Sequence, residues 1–516
     1  MVALSAFHAA LLLFSSVNAA SDPIVDLGYA KYQGVVDSKL KITAFRGVRY
    51  AAPPTGSLRF RAPAAPSSTP GVQQAFNDPP QCYQGNSGPL TPVANNQTED
   101  CLFLNVYTPS LNPSSRLPTI VWIYGGGYTI GFAGEYNGAE LVQDSNNQAV
   151  SVVINYRLGL FGFLGGQQVK EGGALNAGLL DQEFALKWVR ANIHKFGGDP
   201  NKVTIWGESA GAGSVVQQVI ANGGKTNPPL FRAAISSSFY NPPQYQYNHS
   251  IPETWFNEAV TQAGCTGTAA LDCLRAVDGA TLAKINRNIT NPNFETFLPV
   301  VDGSFIRQVP SAALAQGNVN VHTLLAVTNA DEGGFFIDPT QEYDVAASAR
   351  NLFPLLGVKE SNEAAALYAS EGSSAAQAAA LRGDAVFKCP THTLLGAFSG
   401  HSYKANYAIP PAYHAQDLIN YFPSFTDFGV TLIFNNTAFV NAFAQSFTSF
   451  AVNLDPNVKL SPTITPVWKK WSRSFETEMV FNKTENDKPA IAPAKLSSTF
   501  LERCEFWYSV RHLTVQ

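Results

Sequence analysis

Val203-Thr204-Ile205-Trp206-Gly207-Glu208-Ser209-Ala210-Gly211 lies two-fifths of the way along the chain and runs on into the helix-forming residues 212–221. The β-branched and aromatic residues 203–206 predict a short buried strand, and the alanine- and valine-rich stretch after the glycines predicts a helix. Between them sits the pattern G-x-S-x-G. A sharp strand-to-helix turn lifts a serine hydroxyl over the edge of a sheet, and glycines on either side let the two backbones approach closely. The bare pentapeptide is a weak signal. With a strand before it and a helix after it, it marks Ser209 as a candidate nucleophile.

Working outward, residues 119–124, 150–155, 233–237 and 321–327 read as further buried strands, rich in β-branched or small apolar residues. Residues 176–193 carry Leu180, Phe184 and Trp188 at four-residue spacing, the mark of an amphipathic helix. Strands alternating with helices predict an α/β fold, with a large, mainly parallel central sheet and helices on both faces. Ligands of such sheets bind beyond the carboxyl ends of the strands, which is where Ser209 falls. No repeat, charge block or low-complexity linker interrupts the chain, so residues 21–516 read as a single catalytic domain.

A second glycine-rich stretch, Trp122-Ile123-Tyr124-Gly125-Gly126-Gly127-Tyr128, closes the predicted strand 119–124. Glycines let backbone N–H groups reach a substrate oxygen without obstruction by Cβ. Gly126 and Gly127, together with the N–H of Ala210, are therefore candidate oxyanion donors. A serine hydroxyl also needs a base to take its proton and a carboxylate to orient that base. In this fold the chain order is Ser, acid, His. His249, His322, His392, His401, His414 and His512 all follow Ser209, so order alone does not choose among them.

Composition narrows the function classes. The chain has 516 residues, 34 Lys and Arg against 38 Asp and Glu, and a net charge of −4, which argues against nucleic acid as a partner. Hydrophobic residues make up 45% and charged residues 14%, which excludes a disordered chain. Residues 1–20 read as a signal peptide, with an apolar run ending in small residues that is too short to span a bilayer, so the mature protein is expected to be secreted, with no transmembrane segment. In that setting Cys82, Cys101, Cys265, Cys273, Cys389 and Cys504 read as disulfide partners. Fifteen connectivities are possible, and nearest-neighbour pairing is the simplest. Asn96, Asn248, Asn288, Asn435 and Asn482 begin N-x-[ST] sequons and are candidate glycosylation sites. No metal or organic cofactor is called for, and the oligomeric state is left open.

Two longer stretches carry a resemblance. They are Phe196-Gly197-Gly198-Asp199-Pro200-Asn201-Lys202 leading into the segment quoted first, and Glu99-Asp100-Cys101-Leu102-Phe103-Leu104-Asn105-Val106-Tyr107. Both are similar to signatures of the type-B carboxylesterase/lipase family, which includes cholinesterases and fungal lipases. Further similarity at 45–54, 155–164, 176–188, 297–303 and 331–333 extends over most of the chain and thins after about residue 340. The resemblance implies an α/β-hydrolase fold, Ser209 as nucleophile and Glu332 as the acid, with Asp331 as its rival. It implies His414 as the base, although the family often has Gly three residues before this His and directly after it, where this chain has Pro411 and Ala415. It also supports the nearest-neighbour disulfides and makes Arg59 with Glu99, and Arg157 with Asp181, structural ion pairs. Glu208 is either a tuning group beside the nucleophile or a structural one.

Residues 83–100, between the first two cysteines, contain no Trp and several Gly, Pro, Asn and Gln. A cholinesterase holds a quaternary ammonium on a Trp of that loop, and family lipases use the loop as a long amphipathic flap. Neither reading fits here. The expected function is thus a secreted serine carboxylesterase acting on uncharged lipophilic esters, with a lipase or sterol esterase as the alternative and a non-catalytic binding protein of the same fold, like neuroligins, as the second. Phe294 and Phe297 are read as core rather than as an acyl pocket.

Overall fold

Among the described residues of the computed structural model, 23–88, 96–291, 295–428 and 430–516, eleven strands form one sheet. In chain order they are β1 Val35–Asp37, β2 Ile42–Arg49, β3 Phe103–Thr108, β4 Leu117–Ile123, β5 Val150–Ile154, β6 Gly198–Glu208, β7 Ala233–Ser237, β8 Leu324–Asn329, β9 Ser402–Tyr407, β10 Thr477–Lys483 and β11 Pro489–Lys495. Across the sheet the order is β11-β10-β9-β8-β7-β6-β4-β5-β3-β2-β1. The block from β5 to β10 is parallel. Both edges are antiparallel. The proposed leader, 1–20, lies outside the described residues.

Strands buried on both faces read as unbroken apolar runs, and β6 shows why. Val203, Thr204, Ile205 and Trp206 are all fully buried. Of the helices, α1 spans Gly138–Asp144, α2 Ala177–Asn192, α3 Ala210–Gly224, α4 Cys389–Ala397, α5 Thr437–Asn453 and α6 Ser498–Ser509. Trp206 stacks on Phe447 of α5, with ring centroids 5.5 Å apart, and Thr204 donates to the Ala451 carbonyl of the same helix. Alternation along the strand turns Val203 and Ile205 to the other face, where α2 and α3 pack together through a Gln182–Ser214 hydrogen bond of 2.9 Å. Buried residues from Val25 to Val510 form one continuous cluster.

The order of β5, β4 and β6 sets the position of the site. After β4 the chain adds β5 on one side and then crosses to add β6 on the other. The connections leaving the carboxyl ends of the adjacent strands β4 and β6 run in opposite directions, and such a reversal opens a crevice at that edge. Disulfides join Cys82 to Cys101, Cys265 to Cys273 and Cys389 to Cys504. No helix among the described residues is long and apolar enough to cross a membrane.

Candidate active site

β6 ends at Glu208, and Ser209 takes φ 56° and ψ −124° before α3 begins. A serine in that region carries strain of order ~1–3 kcal/mol, and its surroundings hold it there. Ser209 N–H donates to the Ser237 carbonyl at the end of β7 (2.9 Å), while the Ser209 carbonyl accepts from Gly213 N–H (2.8 Å). The elbow glycines are sterically required. A Cβ on Gly211 would lie 2.0 Å from the Ile123 carbonyl oxygen, and one on Gly207 would lie 2.5 Å from the Gly211 backbone.

β8 and β9 are parallel neighbours, and their pairing continues past the strand ends. Ala330 N–H donates to the Tyr407 carbonyl and Asp331 N–H to that of Ala412, both at 2.9 Å. Two loops far apart in sequence thus emerge side by side, carrying Glu332 and His414. His414 Nδ1 lies 2.6 Å from Glu332 Oε2, and Nε2 lies 2.9 Å from Ser209 Oγ. All three residues are buried. The rival acid, Asp331, instead accepts from Gly334 N–H (2.9 Å) and caps the turn that follows. His392 pairs with Glu476, His249 caps a helix at Ile251, and His322, His401 and His512 are exposed.

Three further residues complete the arrangement, and no sequence pattern singled them out. Glu332 Oε1 accepts from Ser238 Oγ (2.7 Å) and from Asn329 N–H (2.7 Å). Asn329 Nδ2 donates to Ser238 Oγ (3.2 Å) and to Asp417 Oδ1 (3.0 Å). Ser238 directly follows β7 and Asn329 ends β8, so their only sequence signal was a polar residue at the carboxyl end of a buried strand.

The imidazole is packed against Phe387 and Phe336, with centroids 4.5 and 5.3 Å away. Burial alone pulls its pKa down, but the Glu208 and Glu332 carboxyls prevail and raise it above the usual histidine value. Glu208 Oε1 stands 3.3 Å from Nε2. Burial pushes the Glu208 carboxyl up to about 8, with Asp417 and Glu332 adding to the rise and His414 opposing it. Burial also lifts Asp417, to about 6.

The glycine loop lies against this centre. A Cβ on Gly125 would be 2.9 Å from Ser209 Cβ, and Gly126 and Gly127 adopt φ of 95° and 62°. Among the described residues, no protein acceptor pairs with the N–H of Gly126, Gly127 or Ala210. These donors border a cavity of about 240 Å³ whose walls include Ser209, His414, Tyr136, Phe335, Phe336 and Phe425. The loop between Cys82 and Cys101 braces the same region, since Gln84 bonds both the N–H and the carbonyl of Gly131. Arg59–Glu99 and Arg157–Asp181 are close ion pairs, at 2.6 and 2.7 Å, outside this lining. Phe297 is buried in the core, and Phe294 lies outside the described residues.

The sheet order and the nucleophile elbow define an α/β-hydrolase. The chain belongs to the carboxylesterase family, whose profile matches residues 21–507, and is a carboxylic ester hydrolase. The crystal structure of Aspergillus niger EstA superposes with a TM-score of 0.85 at 32% identity, covering 96% of this chain and 99% of that one. Lipase 2 of Geotrichum candidum is 31% identical over 94% of this chain and 96% of its own length. A secreted triacylglycerol lipase, LIP1 of Gibberella zeae, is 30% identical over 86% and 85%.

Proposed function

We propose that the protein is a secreted serine carboxylesterase that hydrolyses uncharged, lipophilic carboxylic esters through an acyl-enzyme. The observation that carries this reading is the unbroken relay from Ser209 Oγ through the His414 ring to Glu332. Nε2 takes the Ser209 proton as Oγ attacks the ester carbonyl. Glu332 fixes the tautomer and stabilises the imidazolium. The N–H groups of Gly126, Gly127 and Ala210 stabilise the developing oxyanion, helped by the positive end of α3. His414 then protonates the departing alcohol and later activates water to release the acid.

An apolar cavity of this size suits small to medium acyl or alcohol groups. A purely binding role would not need this contact geometry. Secretion is supported by the leader-like residues 1–20, by three disulfides and by the secreted relative. Of the sequons, Asn96, Asn248, Asn288 and Asn435 are exposed, while Asn482 is partly so, and all five remain candidate glycan sites.

A second reading, a lipase, draws on Phe335, Phe428 and Ile433, which are 41, 54 and 42% exposed; Phe335 borders the cavity and Phe428 packs on Phe425 of its wall. A chain-length series of nitrophenyl esters, with and without detergent, separates the two. An activity that jumps above substrate solubility favours the lipase.

Ser209→Ala is expected to lower kcat by at least ~10⁴-fold and to abolish labelling by a fluorophosphonate. Hydrolysis retained in that variant would sink the assignment.

A further inference from the structure

Glu135 is the one cavity-wall residue whose chemistry the acyl-transfer mechanism leaves unused without an evident partner. It ends the short 3₁₀ turn Ala133–Glu135, next to Tyr136, which packs edge-on against Phe425 at 5.1 Å, and all three border the cavity that holds Ser209. Among the described residues no cation pairs with it; beyond burial, only the Phe132 N–H acts on its carboxyl. The remaining residues of the neighbouring disulfide loop, 89–95, contain no Lys, Arg or His. A carboxyl offers about four acceptor sites, so the bond to Phe132 leaves most of its capacity facing the cavity. A carboxyl with spare acceptor capacity on a largely apolar cavity wall, bordered also by Glu208 and Arg382, costs desolvation free energy, which a complementary ligand group offsets.

We infer that Glu135 is a specificity-determining residue that receives a hydroxyl group carried by the ester substrate, at a distance from the reacting carbonyl. This rests on the esterase reading above and names its substrate class: esters with a hydroxyl-bearing alcohol or acyl part and an apolar spacer. A hydroxyl fits better than an ammonium. Burial lifts the Glu135 carboxyl to about 7 and that of Glu208 to about 8, so near neutrality the cavity holds little net negative charge to attract a cation. A hydroxyl, which both donates and accepts, bonds either protonation state of the carboxyl.

The test compares matched esters of four to eight carbons ending in methyl, hydroxyl or ammonium, on the acyl or the alcohol side. They are run on the wild type, Glu135→Gln and Glu135→Leu. The wild type is expected to favour a hydroxyl ester over its alkyl match by about tenfold in kcat/KM, the worth of one good hydrogen bond. Glu135→Leu should erase or invert that preference, and Glu135→Gln should keep part of it. Three results overturn the inference: no hydroxyl preference in the wild type, a preference that survives Glu135→Leu, or an ammonium ester outrunning its hydroxyl match. Nitrophenyl acetate serves as the control. Its hydrolysis by all three proteins shows an intact catalytic centre, whereas its failure in the wild type strikes the esterase reading instead.

Discussion

Glu208 is the residue whose surroundings make the sharpest claim on activity. Its carboxyl faces His414 Nε2 at 3.3 Å, and burial raises its pKa to about 8. When it ionises, a negative charge appears beside the nitrogen that, in the mechanism proposed above, becomes cationic in the transition state, which favours that state. The expected kcat/KM profile of the wild type therefore has two rises: one above the usual histidine range, as His414 loses its proton, and one near pH 8. Glu208→Gln copies the neutral form. It should move the first rise to lower pH, because the Glu208 carboxyl is one of the groups that raise the His414 value, remove the second, and leave activity at pH 7 within a few-fold of wild type. A profile with the second rise intact in Glu208→Gln would assign that ionisation elsewhere. Residue by residue, legibility varied for physical reasons. Ser209 was readable because its constraint is local, a turn whose glycines cannot carry a Cβ. His414 was not readable from spacing, since the contact that defines it joins residues 205 positions apart; only resemblance selected it. The departure from the family at Ala415 has a backbone account. This residue sits at φ 67°, a left-handed conformation that glycine adopts without penalty and that costs alanine about 1–2 kcal/mol.

At the level of elements, the parallel strands were legible because burial on both faces forces a continuous apolar run, whichever strands lie beside it. Residues 233–237 were predicted and observed with the same bounds, and β4 shifted by one or two positions. The antiparallel edges were not legible. β2 shows a mixed pattern of burial along its length, and β11 is largely exposed, so neither carries a clean period. What the strand pattern also hid is how the later helices support the site. Phe387, against the imidazole, belongs to a π-helical turn, Asp384–Lys388, a geometry enriched near functional sites. That turn leads directly into α4 at Cys389, which is joined to Cys504 of α6. Lys388 pairs with Asp384 at 2.7 Å, and Arg503 of α6 reaches the same aspartate at 3.6 Å. The disulfide thus pins the element that walls the histidine. Of the three bridges it closes the longest loop, with a separation of 115 residues against 19 and 8. On a chain-entropy model its loss costs about 5 kcal/mol, compared with about 2.5 for Cys265–Cys273. Paired alanine variants should show that order in thermal unfolding, and only the Cys389–Cys504 pair should also lower kcat. Equal losses, or an activity effect confined to the short loop, would contradict this arrangement.

Across the whole molecule, the buried acids set how stability follows pH. Glu135 and Glu140 are pushed up to about 7, Glu208 to about 8 and Asp417 to about 6, in every case chiefly by burial. Each holds its proton in the folded chain at pH values where the unfolded chain, with an ordinary carboxyl near 4, has released it. The folded state therefore binds more protons between about pH 4 and 8, and stability falls as pH rises through that window. His414 acts with the same sign. Its folded value lies above the unfolded one, so its contribution is complete below about 6.5 and is lost as pH climbs through the folded value. Among the opposing groups are Asp26, Asp278 and Asp338, whose values are lowered by local hydrogen bonds to Gly28, Thr281 and Thr340. Their contribution is lost only as pH drops below the ordinary carboxylate range. The melting temperature should accordingly be highest near about pH 5 and decline steadily to pH 8. Glu140 offers the cleanest check, because it lies outside the catalytic relay and anchors the turn that carries Phe425 by accepting from Ser424 N–H and Oγ, both at 2.9 Å. Replacing it by Gln supplies a group that stays neutral throughout, so Glu140→Gln should flatten the decline between about pH 6 and 8 while leaving the acid side unchanged. A melting temperature that rises from pH 5 to 8, or a slope indifferent to Glu140→Gln, would mean that these carboxyls are ionised in the folded protein.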